Sequence, residues 1–367
     1  MIRFSTIPIL VLLWTSSECV HSPRCEEDIG CSVTTALLYT RTLAPKFLYT
    51  TNGSASGTIS MYSVDERTGV ILPLSPASVA SGNLGTFLTM DPSRNFAFVD
   101  DVGTNVYTYA INQLTGNLTQ TAVTANGPNS NPFVVENNSR FAYGTSNGST
   151  TINIYSYNAS TGAVSLINTA TNGAATATQS TIMDPQGRYL YTSNQTSNDV
   201  SQFAINTSTG ALTSLGTAVS ATQPGGICND SQSRWLYATN TGGASVAGFS
   251  IQSNGSLVSI SGSPFATPAT GTSCAVTPDG AFLVIASTGL TVFPINQSTG
   301  ALGTQTTYTA AANGVAISPS GQFVFSTDAT TTRSFRMNKT TGALTLINTQ
   351  PAGTGPSLSV LVNLYVF

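Results

Sequence analysis

The segment 188–194 reads RYLYTSN, and six other segments repeat its pattern of an aromatic second residue followed by apolar and small residues. They read KFLYTTN, NFAFVDD, RFAYGTS, RWLYATN, AFLVIAS and QFVFSTD. Their aromatic residues are Phe47, Phe96, Phe141, Tyr189, Trp235, Phe282 and Phe323. Successive aromatics lie 41 to 49 residues apart, which is the period of radially repeated four-stranded sheets. The repeat predicts an all-β protein with seven blades.

A second signature follows each aromatic strand 11 to 15 residues later. It begins with Tyr62, Tyr109, Tyr155, Phe203, Phe249, Phe293 or Phe335. An apolar residue stands two positions further on, so both side chains face one side of a strand. A Thr-Gly pair, or Asn254-Gly255 in the fifth repeat, comes next. Glycine tolerates the positive φ of a tight hairpin, so this pattern predicts the third strand and the turn into the outer strand.

The innermost strand of each blade is predicted from a short apolar run that precedes six of the seven aromatic strands. The first aromatic strand has no such run before it, but the chain ends in SLSVLVNLYVF at 357–367. We expect this C-terminal strand to complete the first blade and close the ring, which removes exposed sheet edges. The predicted fold is a seven-bladed β-propeller of four-stranded antiparallel blades over residues 46–367.

Composition restricts the classes of partner. Only 7% of the residues are charged, and the net charge is −3. No cluster of basic residues suits a phosphate backbone, which argues against nucleic-acid binding. No stretch reaches about 18 unbroken apolar residues, so no transmembrane segment is expected. We expect a monomer.

The N-terminal 45 residues carry targeting features. Residues 1–17 contain Arg3 and the apolar run Ile9–Trp14, as in a signal peptide, and 18–45 is interpreted as a tether. The protein is therefore expected to be secreted, periplasmic or at the cell surface; a cytoplasmic protein with an apolar start is the alternative. A lipid anchor on Cys19, Cys25 or Cys31 has weak sequence support, and Cys25 and Cys31 suit a disulfide in an oxidising compartment. The only histidine, His21, lies in this leader.

Two cysteines fall within the predicted propeller. Cys228 and Cys274 lie in the inner strands of adjacent repeats, but one residue out of step with each other. They are therefore expected on opposite faces of their strands. We interpret both as small, buried, unpaired side chains.

The strand order divides the loops between two sides of the ring. The Pro-Asp-Gly type turns and the Thr-Gly hairpins fall on one side, which is short and repetitive. The opposite side carries long and irregular connections, and irregular loops on a rigid scaffold are where binding normally resides. A ligand is expected there, near the mouth of the central channel. The candidate binding residues close the aromatic strands on that side: Asn52, Asp100, Asp101, Asn194, Asn240 and Asp328.

Asp100 and Asp101 are the adjacent aspartates of the predicted propeller. As oxygen ligands they suit a hard cation such as calcium, with Asn52 from the preceding blade. The alternative makes them turn residues that cap a strand, and the sequence favours this alternative. Glu66 and Glu136 are expected on the repetitive side as turn residues, and Arg140, Arg188 and Arg234 there as solvated or capping groups.

The run RYLYTSN, with KFLYTTN and RWLYATN, resembles the YVTN repeat. Together with Thr-Gly-x-Leu and Pro-Asp-Gly, it is similar to the seven-bladed lactonase-like propellers, a family that includes 6-phosphogluconolactonases and fungal muconate-lactonising enzymes. The resemblance covers about 46–367 and rests on scaffold motifs, which say little about activity. Enzymes of that family are associated with His, Arg and Glu side chains near the channel. This propeller has no histidine, so no family catalytic residue is carried over.

Two functions follow from these features. The first is an exported, non-catalytic propeller that binds a carbohydrate, a small-molecule lactone or a surface protein through its irregular loops. The second is a lactone hydrolase, metal-assisted through Asp100 and Asp101. The sequence favours the first, because titratable groups are scarce in the propeller.

Overall fold

The computed structural model describes residues 46–52, 57–82, 85–101, 104–125, 130–146, 149–172, 177–219, 222–352 and 360–363. The predicted signal peptide, the tether, Cys19, Cys25 and Cys31 lie outside these residues. Residues 46–367 form one compact unit. None of the described residues belong to a helix long and apolar enough to span a bilayer.

The described chain is built from β-strands arranged as seven sheets. Blade 1 contains β1 (Lys46–Asn52), β2 (Thr58–Val64) and β3 (Ile71–Ala80), and blade 2 contains β4 (Gly85–Met90), β5 (Phe96–Asp101), β6 (Asn105–Ile111) and β7 (Leu118–Ala125). Blade 3 contains β8 (Ser130–Val135), β9 (Phe141–Ser146), β10 (Thr151–Tyr157) and β11 (Val164–Thr171), and blade 4 contains β12 (Thr178–Met183), β13 (Tyr189–Asn194), β14 (Asp199–Ile205) and β15 (Leu212–Val219).

The remaining blades follow the same order. Blade 5 contains β16 (Pro224–Asn229), β17 (Trp235–Asn240), β18 (Ser245–Ile251) and β19 (Leu257–Ser259), and β20 (Phe265–Ala266) also pairs with β18. Blade 6 contains β21 (Ser273–Val276), β22 (Phe282–Ala286), β23 (Leu290–Pro294) and β24 (Thr306–Tyr308). Blade 7 contains β25 (Gly314–Ile317), β26 (Phe323–Thr327), β27 (Thr331–Met337) and β28 (Leu344–Pro351). The last strand, β29 (Val360–Asn363), pairs with β1 and supplies the inner strand of blade 1.

This architecture confirms the predicted seven-bladed propeller with four antiparallel strands per blade. The inner strands contact one another in the cyclic order β29, β4, β8, β12, β16, β21, β25 and back to β29. They therefore enclose the central axis, and we call the space between them the central channel.

The hydrophobic core lies between neighbouring blades. Phe98 of blade 2 packs against Phe133 of blade 3 with ring centroids 5.0 Å apart, and Phe133 lies 5.6 Å from Tyr155. These three rings are buried. Aromatic pairs at such distances add to the stabilisation from burial alone. The alternation of apolar residues along each strand thus serves two interfaces, one on each face of the blade.

Each aromatic signature packs against the hairpin glycine of the next blade. A Cβ on Gly116 would lie 2.2 Å from the Phe47 ring, and Gly116 has φ +75°. Only glycine fits this contact, because a side chain would clash with the ring and strain the backbone. The same contact joins all seven blades: Gly69–Phe323, Gly116–Phe47, Gly162–Phe96, Gly210–Phe141, Gly255–Tyr189, Gly300–Trp235 and Gly342–Phe282.

The expectation that Cys228 and Cys274 are unpaired is wrong. The two residues form a disulfide, with Cα atoms 5.8 Å apart. Cys228 pairs in register with Tyr237 of blade 5, and Cys274 with Ile285 of blade 6; all four residues belong to the cluster between these blades. The one-residue offset does place the cysteines on opposite faces of their blades. Opposite faces of neighbouring blades are the faces that contact each other, so the offset brings the sulfurs together.

Candidate functional site

The antiparallel strand order gives the ring two distinct rims. The turn rim carries the connections from inner to aromatic strands and the glycine hairpins from third to outer strands. The irregular rim carries the loops after the aromatic strands and the connections to the next blade. The six predicted binding residues end or follow aromatic strands, so they lie on the irregular rim.

The three predicted asparagines are fully buried and bond within the propeller. Asn52 Nδ2 donates to Thr58 Oγ1 and Ser60 Oγ, both at 2.9 Å. Asn240 Nδ2 donates to Ser245 Oγ at 2.8 Å. Asn194 Nδ2 donates to Asp199 Oδ1 and Ser201 Oγ, both at 2.8 Å, and its Oδ1 accepts from Asn172 Nδ2 at 3.0 Å. These amides tie the end of the aromatic strand to the start of the third strand.

Asp100 and Asp101 are also buried, with 0% and 2% of their surface exposed. Asp100 Oδ2 accepts a hydrogen bond from the backbone N–H of Phe133 at 3.0 Å, which links blade 2 to the inner strand of blade 3. Asp101 Oδ1 accepts from the N–H of Asn105 at 3.0 Å. Burial, with the neighbouring Asp101 carboxylate, raises the pKa of Tyr107. Both carboxylates therefore hold strand ends in place.

Asp328 forms an ion pair on the irregular rim. Its Oδ2 lies 2.7 Å from Arg333 Nη1, and Oδ1 accepts from the N–H groups of Thr330 and Thr331 at 2.8 Å. Burial acts to raise the pKa of Asp328, but these hydrogen bonds together hold it well below its usual range. Asp328 is therefore ionised at neutral pH, and it neutralises Arg333.

The six predicted residues do not form one cluster. They lie on blades 1, 2, 4, 5 and 7. Among the described residues, no three His, Cys, Asp or Glu side chains are grouped so that they could hold a metal ion. The calcium site suggested for Asp100 and Asp101 thus finds no third ligand of these types in the described part of the chain.

Sequence reasoning missed a chain of neutral polar groups across blades 4 and 5. Gln179 Nε2 donates to Gln195 Oε1 at 3.3 Å, and Gln195 Nε2 donates to Thr241 Oγ1 at 3.1 Å. Thr241 Oγ1 donates to the Gln223 carbonyl at 2.8 Å. We call these four residues the polar chain. Gln179 lies on an inner strand, so the polar chain begins at the channel mouth.

The same backbone hydrogen bond occurs next to the polar chain in blade 4 and in blade 5. Gln195 N–H donates to the Ala177 carbonyl in blade 4, and Thr241 N–H donates to the Gln223 carbonyl in blade 5. Ala177 and Gln223 have φ of 60° and 46°, a region that non-glycine residues seldom adopt. The one sequence signal for this feature is the polar residue directly after YLYTSN and WLYATN.

Positive charge is concentrated on the turn rim. Of the lysines and arginines in the described residues, Arg333 alone lies on the irregular rim, where it is paired with Asp328. That rim also holds the carboxylates Asp100, Asp101 and Asp199. The cations of the turn rim are Lys46, Arg67, Arg94, Arg140, Arg188, Arg234, Arg336 and Lys339. The irregular rim therefore has an excess of negative charge.

Arg188 and Arg234 on the turn rim are capping groups, as the sequence predicts. Arg188 pairs with Asp184 at 2.9 Å, and Arg234 with Asp230 at 2.7 Å. The guanidinium of Arg188 also lies 5.0 Å from the centre of the Tyr189 ring. Glu136 is buried at the position of Asp184 in its own blade, but its Oε2 has no hydrogen-bond partner among the described residues. These groups belong to the scaffold.

Sequence comparison matches this chain to a model of a known protein family. The family model described as "Lactonase, 7-bladed beta-propeller" matches residues 86–271 and 257–362. No protein with a curated description matches the chain in sequence.

Solved structures share the fold. A candidate 6-phosphogluconolactonase from Bacteroides uniformis superposes with a TM-score of 0.75 at 18% identity, covering 87% of this chain and 99% of that one. A periplasmic gluconolactonase from Pseudomonas aeruginosa gives 0.73 at 18% identity, with the same coverage. A protein of unknown function from Desulfotomaculum acetoxidans gives 0.69 at 16% identity, covering 86% and 98%.

Proposed function

Because the chain belongs to the family of seven-bladed lactonase propellers, we propose that it is an exported lactonase whose substrate is an uncharged sugar lactone. The substrate lies on the irregular rim at the channel mouth. Export rests on the apolar segment near the N-terminus, Ile9–Trp14. The tether at 18–45 then separates the signal from the propeller.

The charge of the irregular rim favours an uncharged substrate over a phosphorylated one. Arg333 is the cation of the described part of that rim, and Asp328 neutralises it at 2.7 Å. A phosphorylated lactone needs convergent positive charge, whereas the excess of carboxylates repels it. An uncharged polyhydroxylated lactone meets no such repulsion and can use neutral hydrogen-bonding groups instead.

The polar chain supplies those neutral groups. Gln179 and Gln195 carry amides with both donor and acceptor capacity, and both are partly exposed. An amide donor directed at the lactone carbonyl would stabilise the oxyanion that forms when water attacks. In the reaction, the water oxygen bonds to the carbonyl carbon, the ring C–O bond breaks, and the ring oxygen takes a proton. The product is a hydroxy acid.

Recognition without turnover is the second candidate function. It is favoured because the carboxylates of the irregular rim already have structural partners. Asp100 and Asp101 accept hydrogen bonds from backbone N–H groups, and Asp328 is paired with Arg333. A carboxylate in such contacts is poorly placed to take a proton from water. Under this alternative, the same rim binds a carbohydrate or a lactone without opening it.

The test is hydrolysis of D-glucono-1,5-lactone and of its 6-phosphate by the purified full-length chain, after subtraction of the spontaneous rate. We expect kcat/KM for the uncharged lactone to exceed that for the phosphate by at least tenfold. Gln195→Ala should raise KM or lower kcat, whereas Gln252→Ala on the turn rim should change neither. The exposed Gln252 makes this a matched control.

The outcomes separate the candidates. Saturable binding in calorimetry without turnover would select recognition alone. Faster hydrolysis of the phosphorylated lactone would contradict the charge argument, and equal effects of the two glutamine substitutions would remove the polar chain from the site.

A further inference from the structure

The turn-rim hairpins of blades 3 to 7 each contain an exposed asparagine that begins an Asn-x-Ser/Thr triplet. This triplet is the acceptor sequence for N-linked glycans in exported proteins. Each of these hairpins joins the third strand of its blade to the outer strand. The asparagines are Asn158, Asn206, Asn254, Asn296 and Asn338. An acceptor sequence therefore recurs on the same rim in five consecutive blades.

The two ends of each carboxamide differ in their hydrogen bonds. The Oδ1 atoms accept from backbone N–H groups of the turn, as at Asn338, where the N–H groups of Thr340 and Thr341 lie 2.9 and 3.1 Å away. Among the described residues, none accepts a hydrogen bond from the Nδ2 atom of any of these asparagines. An N-linked sugar is attached through Nδ2. The modification therefore leaves the hydrogen bonds of the turn in place.

The turn itself does not require the triplet. In blade 2, Asn112 Oδ1 accepts from the N–H groups of Leu114 and Thr115, both at 3.0 Å, although Leu114 stands where the triplet has its hydroxyl. In blade 5, the hairpin begins with Gln252 and forms a turn one residue shorter, yet it contains the triplet at Asn254. The hydroxyl residue thus recurs where the geometry of the turn does not demand it.

Two further triplets begin at buried asparagines on the irregular rim, Asn52 and Asn194. Both side chains have 0% exposure, and each Nδ2 donates two hydrogen bonds inside its own blade. A sugar on either residue would break these bonds and would need space that a close-packed interior does not offer. The fold therefore separates accessible acceptors on the turn rim from inaccessible ones on the irregular rim.

We propose that the turn rim is an N-glycosylated face and that the five exposed hairpin asparagines are its acceptors. The donor is an oligosaccharide carried on a lipid pyrophosphate. In the transfer, Nδ2 bonds to C1 of the first sugar, and the bond between C1 and the pyrophosphate oxygen breaks. One proton passes from Nδ2 to the transferase, and the lipid pyrophosphate leaves. The irregular rim stays open to its ligand. This inference rests on export, as in the proposed function, but not on lactone hydrolysis.

The test is a map of the glycan sites on the full-length chain secreted by insect cells. The secreted protein is first shown to be folded by circular dichroism. It is then treated with peptide N-glycosidase in water enriched in heavy oxygen, which converts each glycosylated asparagine to labelled aspartate. Mass spectrometry of the peptides locates the label. We expect it at the five hairpin asparagines in most molecules, and neither at Asn52 nor at Asn194.

Variants test the acceptors one at a time. Leu114→Ser creates a hairpin triplet at Asn112, and Leu114 is 82% exposed, so the substitution leaves the core intact. This variant should gain one glycan, whereas the matched Leu114→Ala should gain none. Thr340→Ala should remove the glycan at Asn338, and Thr340→Ser should retain it.

Three results would overturn the proposal: hairpin asparagines without label in the secreted protein, label at Asn52 or Asn194 in the folded fraction, or a Leu114→Ser variant with no additional glycan. If the N-terminal segment of this chain does not direct secretion, the export in the proposed function is wrong. The same map of the chain behind the host's own secretory leader then decides the glycan sites by themselves.

Discussion

The ring of Phe323 in blade 7 occupies the space that a side chain on Gly69 in blade 1 would need. A Cβ on Gly69 would lie 2.4 Å from Phe323 Cδ1 and 2.5 Å from Ile347 Cδ1, and Gly69 has φ +78°. The six other hairpin glycines make this contact with the preceding blade along the chain. Gly69 makes it with the last blade, so this pair joins the first and last repeats of the ring.

Gly69→Ala should therefore destabilise the protein by about 2–4 kcal/mol, because overpacking adds to the strain of a positive φ. Urea denaturation followed by tryptophan fluorescence measures the change. Gly243→Ala is the matched control, because its nearest neighbour, Thr222 Oγ1, would lie 3.7 Å from the new Cβ. If both variants are as stable as the wild type, the close contact between Gly69 and Phe323 does not contribute to the stability of the ring.

The disulfide between Cys228 and Cys274 links blades 5 and 6 across 46 residues of sequence. Replacing both cysteines by alanine should cost about 2–4 kcal/mol, mainly by freeing the unfolded chain. A reductant should destabilise the wild type but leave the double variant unchanged. Peptide mapping without reduction gives a direct check, since alkylation of both cysteines in the native protein would contradict the assignment.

The carboxamide of Asn172, at the end of blade 3, bonds to Asn194 and Thr192 of blade 4. Asn172→Ala should lower the free energy of unfolding by about 1–3 kcal/mol, because it leaves the side chains of Asn194 and Thr192 with fewer partners. Thr171→Ala, at an exposed neighbour, should stay within about 0.5 kcal/mol. Equal stability of the two variants would mean that the network contributes little.

Asp328 makes stability depend on pH. Its pKa is held below the usual range in the folded protein by hydrogen bonds to Thr330, Thr331 and Arg333, against an opposing contribution from burial. Its contribution is therefore complete above the unfolded pKa of about 3.9 and is lost as the pH falls through the folded pKa. Asp328→Asn should destabilise the protein at pH 7 and flatten the loss of stability below pH 4. Parallel pH profiles for wild type and variant would refute this.

The repeat predicted the architecture because the aromatic, glycine and turn residues act locally and recur seven times. The side-chain contacts on the irregular rim are harder to predict. The backbone N–H groups of Gln195 and Thr241 donate to the carbonyls of Ala177 and Gln223. These two acceptor residues have left-handed backbone, and their own residue types do not signal it. Asn52 and Asp101 were correctly placed at strand ends, but sequence could not show that their side chains bond inward.

The two cysteines illustrate another limit. Their one-residue offset predicts opposite faces, but the opposite faces of two neighbouring blades are the faces that contact each other. Glu136 likewise falls in the position of Asp184, yet its Oε2 has no partner in the described part of the chain. Periodicity predicts where such residues lie, whereas the partner of each depends on packing between blades.

The most direct test of the proposed function is a crystal structure with the 1,5-lactam of gluconic acid, in which nitrogen replaces the ring oxygen and resists hydrolysis. Our account predicts that the lactam lies on the irregular rim at the channel mouth, with Gln179 or Gln195 in contact with its carbonyl. A lactam bound on the turn rim, or a channel mouth left empty at saturating lactam, would contradict it.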